Sequence, residues 1–391
     1  MKKCTAFLIA ILITFLIIPR FSAAADLPDV NEQSRHVVCT ALSQQAQAYY
    51  TGTYSFDTLS TLSGATDTTT GYTAMQDNAL FMALHTLMAD THTYSCTYAG
   101  YKAGSLAYYW QRTDAVDSGE TYTMFYSDVS ADAEGISLNR EHIWPKSRAS
   151  FVEKNGGSDL HHLRPAVDSL NRAKSNHMFG EIHNVYDAGY TTGTVLGEEC
   201  YWVKTDEDLF ECKDDVKGDV ARILLYVYCR WEQPNLYADL PAELLPDNEA
   251  GSENSGVRVI QDLDTLLRWC AEDPVDSWEM CRNDLVQDVQ GNRNVFIDYP
   301  ELAWQLFGKD QPDAMPTPSH PLPILGDADG DGEVTILDVT VIQRHLSMLT
   351  VNYLDETAAD VDGDNSVTIL DATWIQRMLA AMPSTVKSGL S

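Results

Sequence analysis

NREHIWPKS (Asn139–Ser147), followed by DLHHLRPAVDSLNRAKSNHMFGEI (Asp159–Ile182), is the stretch from which the rest of the chain is read. EHIWP has the form of a strand end running into a proline turn. HLRP reads as the returning strand, and Val167 to His177 as a helix with Asn171 one turn in. Successive residues of a strand face opposite sides, so for Glu141 and His142 to share one site a bend is expected there. A neutral imidazole suits a base working near neutral pH. Glu141 and Asn171 offer hard oxygen donors, which suit Mg²⁺, Mn²⁺ or Ca²⁺ better than zinc, and the window contains no cysteine. One group to deprotonate a water and two oxygens to hold a dication are what one-metal phosphodiester hydrolysis requires.

The charge around this stretch contrasts with that of the chain. The 391 residues carry a formal net charge of −31, which alone argues against a polyphosphate partner. Between Arg140 and Lys174, however, seven Lys and Arg face four Asp and Glu, which predicts a local basic patch. Residues 1–25 read as a secretory signal peptide: Lys2 and Lys3 precede an apolar run from Ala6 to Ile18, and Ser22-Ala23-Ala24-Ala25 offers a cleavage site. That run is too short to span a bilayer comfortably, so no membrane insertion is expected. Loss of Lys2, Lys3 and Arg20 takes the net charge from −31 to −34. Of eight cysteines seven survive cleavage, an odd number that cannot all pair within one molecule. Proximity suggests Cys200 with Cys212 and Cys270 with Cys281, while Cys229, in an apolar run, reads as a buried thiol.

Away from the central motif, Glu32 to Tyr49 reads as a helix and the Thr/Ser/Gly-rich residues through Tyr72 as loop or edge strand. Ala74 to Met88 has helical spacing, and the aromatic-rich Tyr94 to Tyr109 and Tyr122 to Tyr126 suit strands. Asp215 to Trp231 is expected as an amphipathic helix, with Val220, Ile223, Leu224 and Val227 on one face. Leu263 to Trp269 is a further helical segment. Five prolines among Lys309 to Pro323 predict an extended linker.

NREHIWPKS, DLHHLRPA, LNRAKSN (Leu170–Asn176) and QGNRNVFIDYPE (Gln290–Glu301), in that order, resemble the bacterial endonuclease I family of secreted nucleases, over roughly Ala74 to Gly308. The resemblance implies an α+β domain built on a ββα-metal (His-Me) finger, with His142 as general base and Glu141 and Asn171 as ligands of Mg²⁺ (or Mn²⁺ or Ca²⁺). It also implies water attack on phosphorus in DNA and/or RNA, leaving a 5′-phosphate and a 3′-hydroxyl with little sequence preference. The family often grips phosphate through an arginine; Arg172, Arg140 and Arg293 are the candidates in that order. His161, His162 and Trp144 are expected to be structural. Asn292, Arg293 and Asn294 follow a turn-forming Gly291 and either buttress the site or touch substrate.

Beyond the prolines lies a repeat of period 33: DADGDGEVTILDVTVIQRHL from Asp327 and DVDGDNSVTILDATWIQRML from Asp360. In the first copy Asp327, Asp329, Asp331, the Glu333 carbonyl and Asp338 fall at calcium-loop positions. In the second Asp360, Asp362, Asp364, the Ser366 carbonyl and Asp371 do. Several carboxylates in one short loop repel one another unless a hard dication sits between them, so two Ca²⁺ are expected. Asn365 stands at the turn, where asparagine tolerates left-handed backbone. Duplicated loop-helix units with repeated VTILD and IQR resemble a type I-like dockerin, a small all-α module, over Gly326 to Met382. The resemblance implies a cohesin module on a scaffold protein, as in cellulosome-type assemblies, with Ile336, Leu337, Ile369 and Leu370 as contacts.

The expected organisation is therefore signal peptide (1–25), catalytic domain (26–308), Pro-rich linker (309–323), dockerin (324–383) and tail (384–391), in a secreted, extracellular monomer. Two other readings compete with a scaffold-docked nuclease. One keeps the site for a cell-wall phosphodiester such as a teichoic-acid linkage. The other is a noncatalytic adhesion or nucleic-acid-binding module, against which the intact Glu141, His142 and Asn171 weigh.

Overall fold

Helix α6 (Lys217–Arg230) is the pillar about which the larger part of the chain is arranged, and every residue from Lys217 to Cys229 is buried. This comes from a computed structural model that describes residues 38–39, 41–65, 77–100, 102–115, 122–127, 130–131, 138–149, 151, 156–181, 189–195, 198–204, 209–233, 261–312, 315–319, 325–329, 334–351 and 353–381, with backbone only at 130–131, 138, 189–195, 198–204 and 381. The expected signal peptide and C-terminal tail lie outside the described residues. Before α6 come α1 (Gln44–Tyr49), α2 (Phe56–Leu59), α3 (Ala79–Asp90), α4 (Leu106–Thr113) and α5 (Asp168–Lys174). After it come α7 (Leu263–Glu272), α8 (Ser277–Gln290), α9 (Val295–Asp298) and α10 (Leu302–Leu306). Helices α3, α7 and α9 pack on α6.

Local chemistry sets the helix ends. Asn78, Asp262 and Asp276 accept from the backbone N–H groups of Phe81, Thr265 and Glu279, satisfying donors that the first turn leaves unpaired. Gly291 closes α8 at φ 91°, donating its N–H to the Gln287 carbonyl. A Cβ there would sit 2.4 Å from the Thr91 carbonyl oxygen, so only glycine fits both backbone and space.

Three small sheets accompany the helices. β1 (Tyr122–Thr123) pairs with β2 (Ser130–Ala131), and β3 (Leu138–His142) pairs antiparallel with β4 (Leu163–Val167). The third sheet has the order β5-β8-β7-β6, from Met178–Phe179, Leu209–Phe210, Glu198–Lys204 and Gly189–Val195 respectively. β4 runs directly into α5, and Asn139 of β3 donates to the Asp168 carboxylate at 2.8 Å, tying strand to helix start.

Two buried carboxylates knit the helices to this unit. Asp159, just before β4, accepts from Tyr226 Oη (2.7 Å), Trp231 Nε1 (3.0 Å), Gln290 Nε2 (3.0 Å) and the His161 N–H (2.9 Å). Asp298 is clamped by Arg293, whose Nε and Nη2 each approach at 2.7 Å, while Arg293 Nη1 reaches Asp284 at 2.5 Å.

Several expectations are corrected. Of the helix expected over Glu32 to Tyr49, residues 32–37 and 40 lie outside the described residues, and the described part is helical only from Gln44, where Ser43 caps it. The stretch expected as loop or edge strand holds a 3₁₀ turn at Gly52–Tyr54 and helix α2. Leu106–Thr113 is helix, not strand, because Ser105 caps it and Leu106, Ala107 and Trp110 bury one side. Helix α6 is buried all round, since its charged Arg222 and Asp219 pair internally. Cys39, Cys96, Cys212, Cys229, Cys270 and Cys281 are all free thiols, so neither bridge suggested by proximity forms. The proline-rich stretch starts by packing on the larger core: Met315 joins it, Thr317 is buried, and Ser319 donates to Glu301.

The repeat region forms α11 (Ile336–Leu346), α12 (Glu356–Ala359) and α13 (Ile369–Ala381) around their own small core of Ala328, Val339, Ile342, Ala359, Ala372 and Ile375. No described helix is long and apolar enough to cross a membrane.

Removing one partner of a buried ion pair strands the other charge. Arg293→Ala is therefore expected to cost about 3–5 kcal/mol in urea unfolding. Arg112→Ala, whose pair with Asp288 is over a third exposed on both sides, is expected to cost less than about 1 kcal/mol. Equal losses would show that burial is not what gives the Arg293 pair its weight.

Candidate active site

β3 ends at His142 with its register intact: Glu141 opposes Arg164 and His142 opposes Leu163. The expected bend within the pair is absent; the chain bends after it, at Ile143–Trp144. The two side chains have different neighbours, as strand alternation requires. Glu141 meets Tyr126 and Lys174, while His142 lies between the rings of Tyr98 (centroids 5.8 Å apart) and His162 (5.6 Å). Both nevertheless line one cleft of about 650 Å³ with Pro145, Lys146, Ser147, Asn171, Ser175 and Asn176. The cleft wraps the strand end, where a side chain from either face can reach it.

Glu141 is buried, and Tyr126 Oη donates to its Oε1 at 2.9 Å while Lys174 Nζ stands 3.4 Å from the same atom. Among the described residues nothing bonds Oε2. Burial raises the Glu141 carboxyl above its usual range, against the pull of Lys174. Lys174 is itself fully buried and lies 3.2 Å from the Ile143 carbonyl oxygen and 3.4 Å from that of His142, so its ammonium cross-links α5 to the end of β3.

His142 is held neutral. Burial pushes its imidazole down to about 3, with His162, Lys146 and Lys174 acting in the same direction. The ring bonds the Arg140 backbone, while Nε2 is buried without a hydrogen-bond partner among the described residues. A neutral imidazole nitrogen without a partner is an open hydrogen-bond acceptor. Its neighbour His162 has backbone partners at both nitrogens: Nε2 accepts from the Trp144 N–H at 3.0 Å and also lies 3.1 Å from the Trp144 carbonyl oxygen, and Nδ1 faces the Gly156 carbonyl at 3.3 Å. His161 Nε2 donates to the Asn292 carbonyl at 3.1 Å. Burial pushes His161 down to about 3 and His162 to about 4, which fits the structural role expected of them.

Glu141, His142 and Asn171 therefore converge, and Arg172 does not join them: it is largely exposed, pairs with Asp168 one turn back, and is absent from the cleft lining. Arg293 is fully buried against Asp298, so it cannot grip substrate, and Asn292, Arg293 and Asn294 are buttresses. Arg140 stands with its guanidinium 5.3 Å from the Tyr98 ring centroid. The expected basic patch is partly internal: Arg148, Arg164 and Lys174 are buried and paired within the fold, while Lys146 and Arg172 are exposed. Sequence reading missed Tyr126 and Lys174 as holders of Glu141, and Lys146 as the exposed cation of the cleft. Lys146 was readable, four residues past His142 beyond a turn; Tyr126 carried no such signal.

In the repeat region the carboxylates of Asp327, Asp329 and Asp338 cluster, as do those of Asp360, Asp362 and Asp364. Asp331 and Glu333 lie outside the described residues. Asp371 adjoins the second group without being counted in it: its Oδ1 accepts from the Val361 and Asp362 N–H groups and its Oδ2 from the Thr368 N–H. Asn365 adopts φ 66°, the left-handed turn anticipated for it. Ile336, Leu337, Ile369 and Leu370 are each 55–57% exposed.

Comparison with known proteins finds two family matches and two relatives. The family model for endonuclease I matches residues 77–301, and that for the dockerin type I domain matches residues 325–380. Two curated relatives, each named extracellular ribonuclease, are 40% identical over 171 residues: one from Bacillus amyloliquefaciens and one from Bacillus subtilis (strain 168). The match covers 43% of this chain and 53% and 54% of the two relatives, so the chain spans about half their length.

The buried histidines carry a pH dependence whose sign follows from linkage. His162 is neutral when folded but has an ordinary value near 6.5 when unfolded, so below about pH 6.5 the unfolded chain binds the extra proton. Stability is expected to fall from pH 6.5 towards 4 by up to about 1.4 kcal/mol per pH unit for this group. His162→Gln should flatten that slope in urea titrations at pH 7, 6 and 5; an unchanged slope would show that the ring is not held neutral.

Proposed function

The chain belongs to the endonuclease I family, and on that premise we propose that it is a secreted, metal-dependent endonuclease acting on DNA and/or RNA with little sequence specificity. The observation that carries this reading is one cleft lined by the Glu141 carboxylate, the Asn171 amide and His142, whose Nε2 is uncommitted. In this reading β3, β4 and α5 form the ββα-metal finger.

The residues fit a hard divalent cation. Glu141 keeps one oxygen clear of Tyr126 and Lys174, and Asn171 adds a neutral oxygen from α5, an all-oxygen set suited to Mg²⁺, Mn²⁺ or Ca²⁺. When bound, such an ion supplies positive charge to the phosphorane and to the departing 3′ oxygen. His142 takes the proton from the attacking water. The Arg140 backbone fixes the ring, and neighbouring Lys146 and Lys174 help burial keep it unprotonated. Tyr126 and Lys174 hold the Glu141 carboxylate in place, and exposed Lys146 meets the phosphate backbone, in place of the Arg172 expected from sequence.

The dockerin type I domain gives this enzyme a second attachment. Its two aspartate clusters are proposed to hold one Ca²⁺ each, and exposed Ile336, Leu337, Ile369 and Leu370 to meet a cohesin module of a scaffold protein. The signal peptide (1–25) then places the catalytic domain (26–308), linker (309–323) and dockerin (324–383) outside the cell, in a cellulosome-type assembly.

The enzymatic reading is tested with supercoiled plasmid and structured RNA, supplied with Mg²⁺, Mn²⁺ or Ca²⁺ in parallel. The wild-type chain should nick at least one substrate, and EDTA should stop it. His142→Ala should lose about 10²–10⁴-fold in rate while still binding the nucleic acid. Wild-type turnover in that variant would refute the assignment of the base.

Calcium is tested on the tail. In the intact chain Ca²⁺ should raise the thermal transition of the repeat region, and Asp327→Ala with Asp360→Ala should remove that shift while leaving the transition of the larger domain in place. A shift that survives both substitutions would place the calcium elsewhere.

A further inference from the structure

A second cleft, of about 570 Å³, adjoins the first and shares His142 and Lys146 with it. Its remaining walls are Ser95–Tyr98 and Gly157–Ser158. The hydrolytic scheme uses none of these six residues. Its volume falls in the range of small-molecule sites, and its lining is mainly hydroxyl and backbone groups with one aromatic ring.

That ring is Tyr98. It is 45% exposed, although the same segment buries Cys96. Its centroid lies 5.8 Å from that of the proposed general base, with the two planes only 34° apart. The Arg140 guanidinium at 5.3 Å stiffens it through a cation–π contact. The backbone beneath is fixed: the Thr97 N–H donates to the Gly104 carbonyl at 2.9 Å, and the Leu106 N–H donates to the Thr97 carbonyl at 2.9 Å. Held aromatic surface beside a reacting centre is costly to leave open to water unless something stacks on it.

Resting on the nuclease reading above, we propose that this second cleft receives the base next to the scissile phosphate, stacked on Tyr98, and that the preferred substrate is a single strand. In a duplex both faces of each base are covered by neighbouring base pairs, so a base reaches an aromatic platform only where the strand is unpaired or splayed. The two clefts divide the labour. Glu141, Asn171 and His142 address the phosphate, and Tyr98 addresses the base beside it. Lys146, exposed and common to both, lies where the backbone passes between them. Stacking has no sequence code, because every base offers a π-face, which agrees with low sequence specificity.

The test measures binding without hydrolysis. The intact chain in EDTA is titrated into a fluorescent single strand of about eight nucleotides carrying 2-aminopurine, and into the same strand annealed to its complement. Tyr98→Ala should weaken single-strand binding about ten- to a hundredfold and abolish the quenching of 2-aminopurine, leaving duplex binding unchanged. Tyr98→Trp should retain both affinity and quenching. Unaltered single-strand affinity in Tyr98→Ala, or an equal loss on single strand and duplex, overturns the proposal. Because the readout needs no cleavage, Tyr98-dependent binding by a chain that cuts nothing would sink the nuclease reading alone. Cleavage with no dependence on Tyr98 would sink only this one.

Discussion

Asp159 is the constraint on which the larger domain depends. A carboxylate sealed from water is tolerable only with its oxygens fully bonded, and here the donors come from α6, the residue after it, the end of α8 and the local backbone. Those donors are far apart in sequence, so satisfying one side chain fixes the loop before β4 against two helices at once. Gln290 then returns the bond, accepting from the Leu160 N–H at 2.6 Å, and Asn292 donates to Tyr226 Oη at 2.7 Å. The position of β4, and so of its partner β3 and of the cleft, follows from this knot.

From there the chemistry of the cleft is set by burial. His142, His161 and His162 lie in one low-dielectric region, and each is pushed well below the ordinary imidazole range by desolvation. Two of them spend their nitrogens on backbone partners and act as struts. The third, at the strand end, has one nitrogen without a hydrogen-bond partner among the described residues. The three rings thus differ in placement, not in residue type. Lys174 adds a related device. Its buried ammonium pairs with Glu141 and cross-links the carbonyls at the strand end, so the helix bearing Asn171 is clamped to the strand bearing the other two groups.

The sequence made the ββα unit, the convergence of Glu141, His142 and Asn171, and the repeat region legible, because each rests on spacing within a short window. Its failures have a shared cause. Tyr94 to Tyr109 was assigned by aromatic content, but the Ser105 cap and the burial of Trp110 make Leu106–Thr113 a helix. Arg172 was favoured as a phosphate grip from its place beside Asn171, yet it pairs with Asp168 on its own helix. Arg293, Arg164 and Arg148 look like surface charge in sequence and are internal in the fold, since their partners, such as Asp298 and Asp114, lie elsewhere in the chain or, for Arg148, on the Asn176 carbonyl. Long-range pairing of charges is invisible to a window, and with it the difference between a basic patch and a set of buried ion pairs.

That difference bears on how so acidic a chain deals with a polyanion. Nonspecific affinity for nucleic acid usually comes from many exposed cations releasing counterions. Here three of the seven cations of the basic window are taken into the interior, and Lys146 is an exposed cation that both clefts share. Some of the acidity is also local, in the two aspartate clusters of the repeat region, where a bound cation would offset it. On the proposed reading, the terms that act at contact are oxygens arranged for a cation on the phosphate and an aromatic face for the base beside it. Both are short-ranged and resist screening better than a surface field does. On that reading a chain of net charge −31 acts on a polyphosphate without being basic, with recognition confined to the few ångströms around the proposed scissile bond.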